Sequence, residues 1–189
     1  LQAQTTDKLI AFGTNGRFYT VACDKLPRGR GHGEPLRLML DLGNDQDIVA
    51  LVVHRPGHKL LVASSDGRGF IVPEDEVVAQ TRVGRQALNV SGGVEAQVCV
   101  PAEGDSVAVV GENRKLLIFP VSELPVMGRG RGVLLQRYKD GGLSDATVFT
   151  WDEGLTWRAG ERRRTETNLD DWNELFINSI GKSLLFNSE

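Results

Sequence analysis

The stretch Lys8–Leu40, KLIAFGTNGRFYTVACDKLPRGRGHGEPLRLML, decides the fold because the chain writes it twice more in altered form. The copies are HKLLVASSDGRGFIVPEDEVVAQTRVGRQALNV (His58–Val90) and DSVAVVGENRKLLIFPVSELPVMGRGRGVLLQRY (Asp105–Tyr138). Each has a β-branched apolar run, a tight turn at Asn15-Gly16, Asp66-Gly67 or Glu112-Asn113, a second apolar run, and an Arg/Gly segment leading into a third. From the turn residue to the glycine of the Arg/Gly segment the distance is 33 − 16, 84 − 67 and 130 − 113, which is 17 each time. The turns recur after 67 − 16 = 51 and 113 − 67 = 46 residues, a period that marks stacked or radially arranged repeat units.

Units of this size with four strand candidates read as propeller-like blades, which bury their faces only against neighbours. About four fit the chain, at about 8–57, 58–104, 105–145 and 146–172, giving an all-β domain over 1–172 that is a small closed ring or an open arc. Glycine at 22 residues suits many short strands and turns, and 40% hydrophobic with 25% charged content is ordinary for a globular protein. No apolar run reaches the length of a membrane span, and Leu1–Thr6 lacks the basic and apolar regions of a signal peptide, so a cytosolic setting is expected. Cys23 and Cys99, the only cysteines, lie in or beside apolar strand patterns and read as reduced, buried thiols.

The formal net charge of −3 taken alone argues against a nucleic-acid partner, but the charge is segregated. Residues 8–139 hold 17 Lys/Arg against 14 Asp/Glu, whereas 140–189 hold 5 against 10. In the first unit, Leu9–Phe12 and Phe18–Val21 flank an Asn-Gly turn and form a hairpin. Pro27–Pro35 is too rich in glycine for a helix or central strand, so it is a loop; Leu36–Leu42 restarts a strand, 41–47 turns, and Ile48–Val53 is the next strand. The second unit has Leu60–Ala63 and Phe70–Val72, a single helical turn near Glu74–Ala79, and its Arg/Gly loop at Thr81–Gln86. The third has Val107–Val110, Leu116–Phe119, a connector at Pro120–Leu124, and the loop Met127–Gly132. Beyond Tyr138, Ala146–Trp151 and Leu155–Arg158 read as a hairpin across Asp152-Glu153-Gly154, with Arg162–Thr167 as a charged further strand. The stretch 173–189, NELFINSIGKSLLFNSE, changes character and fits a helix or an added strand.

Three phrases, Leu26–Leu36 (LPRGRGHGEPL), Asp66–Phe70 (DGRGF) and Phe119–Pro125 (FPVSELP), occur in the order found in the C-terminal domains of the A subunits of bacterial type II topoisomerases. The chain resembles that gyrase A/ParC family over about residues 8–172, and the topoisomerase IV (ParC) branch in particular. The Gln-Arg-Arg-Gly-Gly-Lys-Gly box of the gyrase branch is absent, its nearest matches being Arg28–Gly33 and Gly128–Gly132. The resemblance implies a β-pinwheel, in which neighbouring blades exchange strands, and duplex DNA bound along a basic outer edge with weaker wrapping than in gyrase. It also implies an accessory, non-catalytic domain, monomeric in isolation and associated with the bacterial nucleoid. Its partners would be the B subunit (ParE) together with the rest of the A subunit. The ATP and Mg of the full enzyme, like its cleaving tyrosine, would act elsewhere, leaving this domain without a cofactor. By the same comparison a blade is expected ahead of Lys8, the chain being a fragment, and the tail 173–189 departs from the family's basic ending as a divergent end or a joined segment.

Arg/Gly loops suit phosphate, since a guanidinium fork donates two hydrogen bonds and adjacent glycines let backbone amides approach. Repeated once per blade along one rim, they make a curved track. The candidates are Arg28, Arg30, Arg37, Arg82, Arg85, Arg129, Arg131, Arg137 and Lys139, with Arg17, Arg68, Arg114 and Lys115 after the hairpin turns. Two other readings stand beside this one: solvated charges that protect sheet edges, and a protein-binding propeller docking a chromosome-associated partner. His32, His54 and His58 have no cysteine or paired carboxylate at ligand spacing, so no metal site is expected. Gly181-Lys182-Ser183 fails as a phosphate loop because Phe176 stands where the upstream glycine belongs, and no serine sits on a nucleophile elbow. Trp151, Trp157 and Trp172 read as packing for the last blade.

Overall fold

The computed structural model describes residues 3–26, 36–159 and 162–170. The first repeat supplies β1 (Lys8–Gly13), β2 (Arg17–Ala22), α1 (Leu36–Met39) and β3 (Ile48–Val53). The second supplies β4 (Lys59–Ser64), β5 (Arg68–Pro73), α2 (Glu74–Val77), β6 (Arg85–Gln86) and β7 (Ala96–Pro101). The third supplies β8 (Ser106–Gly111), β9 (Leu116–Pro120), β10 (Val133–Leu134) and β11 (Leu143–Phe149). A last hairpin follows, β12 (Leu155–Ala159) and β13 (Arg162–Glu166).

The sheets cut across the repeats. Their orders are β3-β1-β2-β6, β10-β5-β4-β7, β11-β8-β9 and β12-β13, all antiparallel. Thus β6 leaves the second repeat to edge the first sheet, pairing Arg85 with Phe18 and Gln86 with Arg17. In the same way β10 leaves the third repeat to edge the second sheet, pairing Val133 with Gly69 and Leu134 with Arg68. The Arg/Gly segments of the second and third repeats therefore lead into the crossing strands, and the all-β fold is a strand-exchanged pinwheel.

The apolar runs are continuous because both faces of each inner strand are covered. In β4, Leu60 and Val62 meet Ile10, Phe12 and Phe18 of the first sheet, while Leu61 and Ala63 meet Val107, Val109 and Val148 of the third. Leu155 and Trp157 of β12 pack on Ala108, Val110 and Leu116 in the same manner. The outer face of the first sheet, Ala11, Tyr19 and Val21, is covered by Leu36, Met39 and Leu40. No core cluster among the described residues joins the fourth sheet to the first, so the row is an open arc.

Three sequence expectations are corrected. In place of the strand expected over Leu36–Leu42, Leu36–Met39 forms the helical turn α1, because Leu36, Met39 and Leu40 fall on one helical face and cover Tyr19. The expected hairpin of Ala146–Trp151 with Leu155–Arg158 does not form: β11 pairs with β8, β12 with β13, and Trp151–Glu153 is a 3-10 turn between them. Ala146 and Val148 fill the seam with the second sheet, whereas Leu155 and Trp157 fill the next seam, so the two strands serve opposite faces. The third hairpin turns at Arg114, whose φ of 63° matches 74° at Gly16 and 84° at Gly67, one residue later than Asn113. Other expectations agree with the structure, including the helical turn after β5, the strand at Arg162–Glu166, and burial of Trp157 beside Trp151; Trp172 and 173–189 lie outside the described residues.

On the side away from the hairpin turns, carboxylates tie down the connector between β3 and β4. Glu74 Oε2 accepts the Arg55 amide at 2.6 Å, and Asp75 accepts the Gly57 amide at 2.9 Å while facing His54 Nε2 at 2.9 Å. Arg55 and His58 both meet Glu103, at 2.7 and 3.0 Å. Cys23 and Cys99 are free and buried, and burial pushes both thiols up.

The exchange needs glycine at one point in each crossing. Gly132 has φ 77°, and a Cβ there would run into the carbonyl oxygen of Gly69, its cross-sheet neighbour. Gly132→Ala is expected to lower the unfolding free energy by about 1–3 kcal/mol, read as a shifted urea midpoint. The same change at Gly57, which has φ 77° and nothing within 4 Å, should cost less, isolating the steric part.

Candidate nucleic-acid interface

Each hairpin turn is closed locally, and the first two are then held by the following repeat. Gly16 N donates to Gly13 O, Gly67 N to Ser64 O, and Arg114 N to Gly111 O, each at 2.9 Å. Asn15 Oδ1 and Asn113 Oδ1 accept the amides of Arg17 and Lys115 at 3.1 Å, so side-chain turns stiffen the first and third positions. Carbonyls at the first two turns then receive the crossing strands. Gly16 O accepts from Ala87 and Leu88, both at 3.1 Å, and Gly67 O accepts from Leu135 at 2.8 Å. Leu88 and Leu135 are buried immediately after the exchange and anchor it.

The turns are linked into one belt. Asn89 N donates to Gly130 O at 2.8 Å and Gly130 N to Ala87 O at 2.9 Å, joining the first crossing segment to the second. The second crossing runs past Gly67 to Tyr138, whose ring lies against both Gly67 and Gly111, and burial pushes its phenol pKa up. Leu143 N donates to Ser65 O and Glu112 N to Gly142 O, both at 2.9 Å, which fixes the third turn beside the second. All three turns and both crossing strands therefore share one rim.

The sequence-named cations among the described residues stand along this rim in different states of commitment. Arg28 and Arg30 lie outside the described residues. Arg37 braces the 41–47 turn, pairing with Asp47 at 2.9 Å and donating to Gly43 O at 2.6 Å, so its charge is largely used inside the protein. Arg17 donates to Val83 O at 3.3 Å and Arg82 to Leu38 O at 3.1 Å. Arg85 stands exposed on β6, and Arg114, Lys115, Arg137 and Lys139 are exposed around the third turn. Arg129 reaches Asn89 Oδ1 at 3.4 Å. Arg68 and Arg131, from successive repeats, converge on Asp66 at 4.0 and 3.3 Å.

Asp66 is the residue that sequence reasoning passed over. Burial raises its carboxyl pKa, but hydrogen bonds from Ser64 and Arg131 and the Arg131 charge outweigh that, so it sits below the usual carboxylate range. It holds two guanidinium groups side by side across a repeat boundary. The signal was the Asp66-Gly67-Arg68 triplet, in which a turn carboxylate is followed at once by a cation.

This rim carries no metal-type cluster: among the described residues no group of three or more His, Cys, Asp or Glu is placed to hold an ion. No helix among them is long and apolar enough to cross a membrane. Comparison with known proteins then fixes the family. The model of the DNA gyrase C-terminal domain, beta-propeller, matches residues 7–55, 58–96 and 105–143. The chain belongs to that family. The three matched segments open at Asp7, His58 and Asp105, the residues whose carbonyls accept the amides of Cys23, Glu74 and Val121 at the end of each hairpin.

Within the gyrase C-terminal family the chain is similar to the A subunit of DNA topoisomerase 4 from Caulobacter vibrioides, at 47% identity over 174 residues, 91% of this chain and 22% of that protein. It is 44% identical to the corresponding Rickettsia bellii protein over 169 residues, 89% of this chain and 23% of that protein. The chain thus spans under a quarter of the length of these relatives. Among solved structures, the Escherichia coli ParC C-terminal domain shares the fold with a TM-score of 0.76 at 22% identity, over 100% of this chain and 78% of that one. The resemblance carried by Leu26–Leu36, Asp66–Phe70 and Phe119–Pro125 is therefore borne out as to family and fold.

Two outcomes follow from the rim's chemistry. Because Asp66 is depressed in the folded state, its stabilising effect is present above the unfolded carboxylate pKa of about 3.9 and is lost as pH falls through the folded value. The melting-temperature difference between wild type and Asp66→Asn is expected to be constant near neutrality and to vanish in acid. Arg114 occupies a left-handed position that costs a residue with a Cβ about 1–2 kcal/mol, so Arg114→Gly is expected to raise the melting temperature.

Proposed function

We propose that this chain is a non-catalytic duplex-DNA-binding and bending domain of a topoisomerase IV A subunit. The observation that carries the reading is the belt itself: Arg17, Arg82, Arg85, Arg129, Arg131, Arg68, Arg114, Lys115, Arg137 and Lys139 follow a hydrogen-bonded path across three sheets. Duplex DNA presents about one negative charge per 1.7 Å, and a line of arginines neutralises phosphates without reading bases. The described helices are four residues each, too short to serve as recognition helices in a groove, so contact through the backbone and its curvature suits this surface. The arc of sheets sets the direction in which a bound duplex would bend.

Arginines held in place by Asp66 and Asn89 lose little conformational entropy on meeting phosphate, whereas a flexible surface lysine would lose more. In the whole enzyme, whose strand-cleaving and ATP- and Mg-dependent steps belong to other segments and to the B subunit, this rim would present a curved DNA segment and favour supercoiled or linked substrates. The work would be done in the cytoplasm, at the nucleoid. The names of the topoisomerase relatives and the match of each repeat to the family support this reading.

The test is duplex affinity as a function of salt for wild type and for a variant with Arg85, Arg129, Arg131 and Arg137 all changed to Ala. Each lost phosphate contact should reduce the slope of log K against log salt by about 0.9. Equal slopes and equal affinities for the two proteins would remove DNA from this rim.

A further inference from the structure

We propose that the terminal hairpin is a fourth phosphate-binding station, formed by Arg158, Arg162, Arg163 and Arg164, which extends the DNA track beyond the repeat loops. The inference rests on the DNA reading above and adds a site outside the repeated Arg/Gly segments.

The first observation is where the charge sits. Residues 140–189 hold only 5 Lys/Arg against 10 Asp/Glu, yet four of those five cations fall within 158–164. An acidic segment that gathers its positive charge into one hairpin has a concentrated patch, where scattered placement would have cancelled it locally.

The second is how the hairpin is held. Leu155 and Trp157 are buried with Leu169 against the third sheet, which fixes the ribbon rigidly. The register sets Trp157 opposite Arg164, Arg158 opposite Arg163, and Ala159 opposite Arg162. Opposite residues share a face, so Arg163 joins Arg158 on one side while Arg162 and Arg164 stand on the other. Arg162, Arg163 and Arg164 are all exposed.

The third is position. β12 follows β11 as β4 follows β3 and β8 follows β7, so it is the first strand of its hairpin and runs toward the turn rim. Its far end therefore places Arg158 and Arg162 at the level of the turns at Gly16, Gly67 and Arg114.

The fourth is availability. Arg17, Arg37, Arg68 and Arg131 each have a partner within the protein, either a carbonyl or a carboxylate. Among the described residues no carboxylate pairs with Arg162, Arg163 or Arg164. At Arg131 an arriving phosphate competes with Asp66, whereas no described carboxylate competes with it at Arg162, Arg163 or Arg164. Arg162, Arg163 and Arg164 follow one another along the edge strand β13 and are all exposed, which suits a backbone running along that edge, and the ligand is the phosphodiester backbone of the duplex that leaves the third turn.

The experiment compares the 189-residue wild type, an Arg162→Gln/Arg163→Gln/Arg164→Gln triple variant, and the rim quadruple variant on duplexes of increasing length. The triple variant is expected to lose about 0.9 of salt slope for each arginine that touches phosphate and to stop gaining affinity at a shorter duplex than wild type. An unchanged slope and length dependence in the triple variant, with weaker binding by the quadruple variant, overturns the station and leaves the rim intact. No change in either variant overturns the DNA reading itself. A second measurement avoids any folding defect: in wild type, bound duplex should protect Arg162, Arg163 and Arg164 from phenylglyoxal, and equal modification with and without DNA overturns the proposal.

Discussion

The whole arrangement depends on carbonyl groups that a repeat cannot satisfy by itself. Gly16 O and Gly67 O point out of their hairpins, and their partners, Ala87 with Leu88 and Leu135, come from the repeat that follows. A buried carbonyl without a donor is costly, so each of these two turns demands a neighbour. The buried leucines at 88 and 135 make the exchange favourable on the apolar side as well, and glycine at 132 lets the chain cross where any side chain would strike Gly69. The Arg/Gly composition of the crossing segments follows from two demands at once: close backbone approach and outward-facing charge.

The repeat was legible because three apolar hairpins with similar turns recur, and the family followed from three short phrases. The register within the repeat was less so. The constant spacing of 17 came from matching Asn113 with Gly130, whereas the structural equivalents of Gly67 and Gly84 are Arg114 and Gly132, which lie 132 − 114 = 18 apart. A positive φ at an arginine leaves no trace in sequence, since the hydrogen bond from Arg114 N to Gly111 O compensates the strain out of sight. Residues 146–158 misled for another reason: two apolar strands flanking Asp-Glu-Gly imitate a hairpin, and only the opposite burial of Val148 and Trp157 separates them. Leu36–Leu42 was ambiguous because a short apolar run suits either a strand or a helical turn until its cover, Tyr19, is known.

The charge distribution acquires a geometric meaning. The cations after each hairpin turn and on each crossing strand lie on one rim, while Glu74, Asp75 and Glu103 lie on the other, where they hold the β3–β4 connector. A net negative protein thereby gathers arginines and lysines along one edge. Among the acids on the basic side, Asp66 is retained between Arg68 and Arg131, where it orders two guanidinium groups that would otherwise repel. The differing commitments of these cations, exposed at Arg85 and tied at Arg37, left no mark in the sequence.

The exchange of β6 and β10 also bears on how such arrays change over generations. The unit copied in a gene and the unit folded in space are offset by one crossing strand. Removing the second repeat would still deliver a crossing strand to the first sheet, because the third repeat carries its donor segment in the same place. Array length can then vary by whole repeats while each seam is preserved. A partial deletion leaves a turn carbonyl without its donor and an edge without its strand. Whole-repeat gain and loss is the change this architecture tolerates, and the number of blades can vary without disturbing any seam.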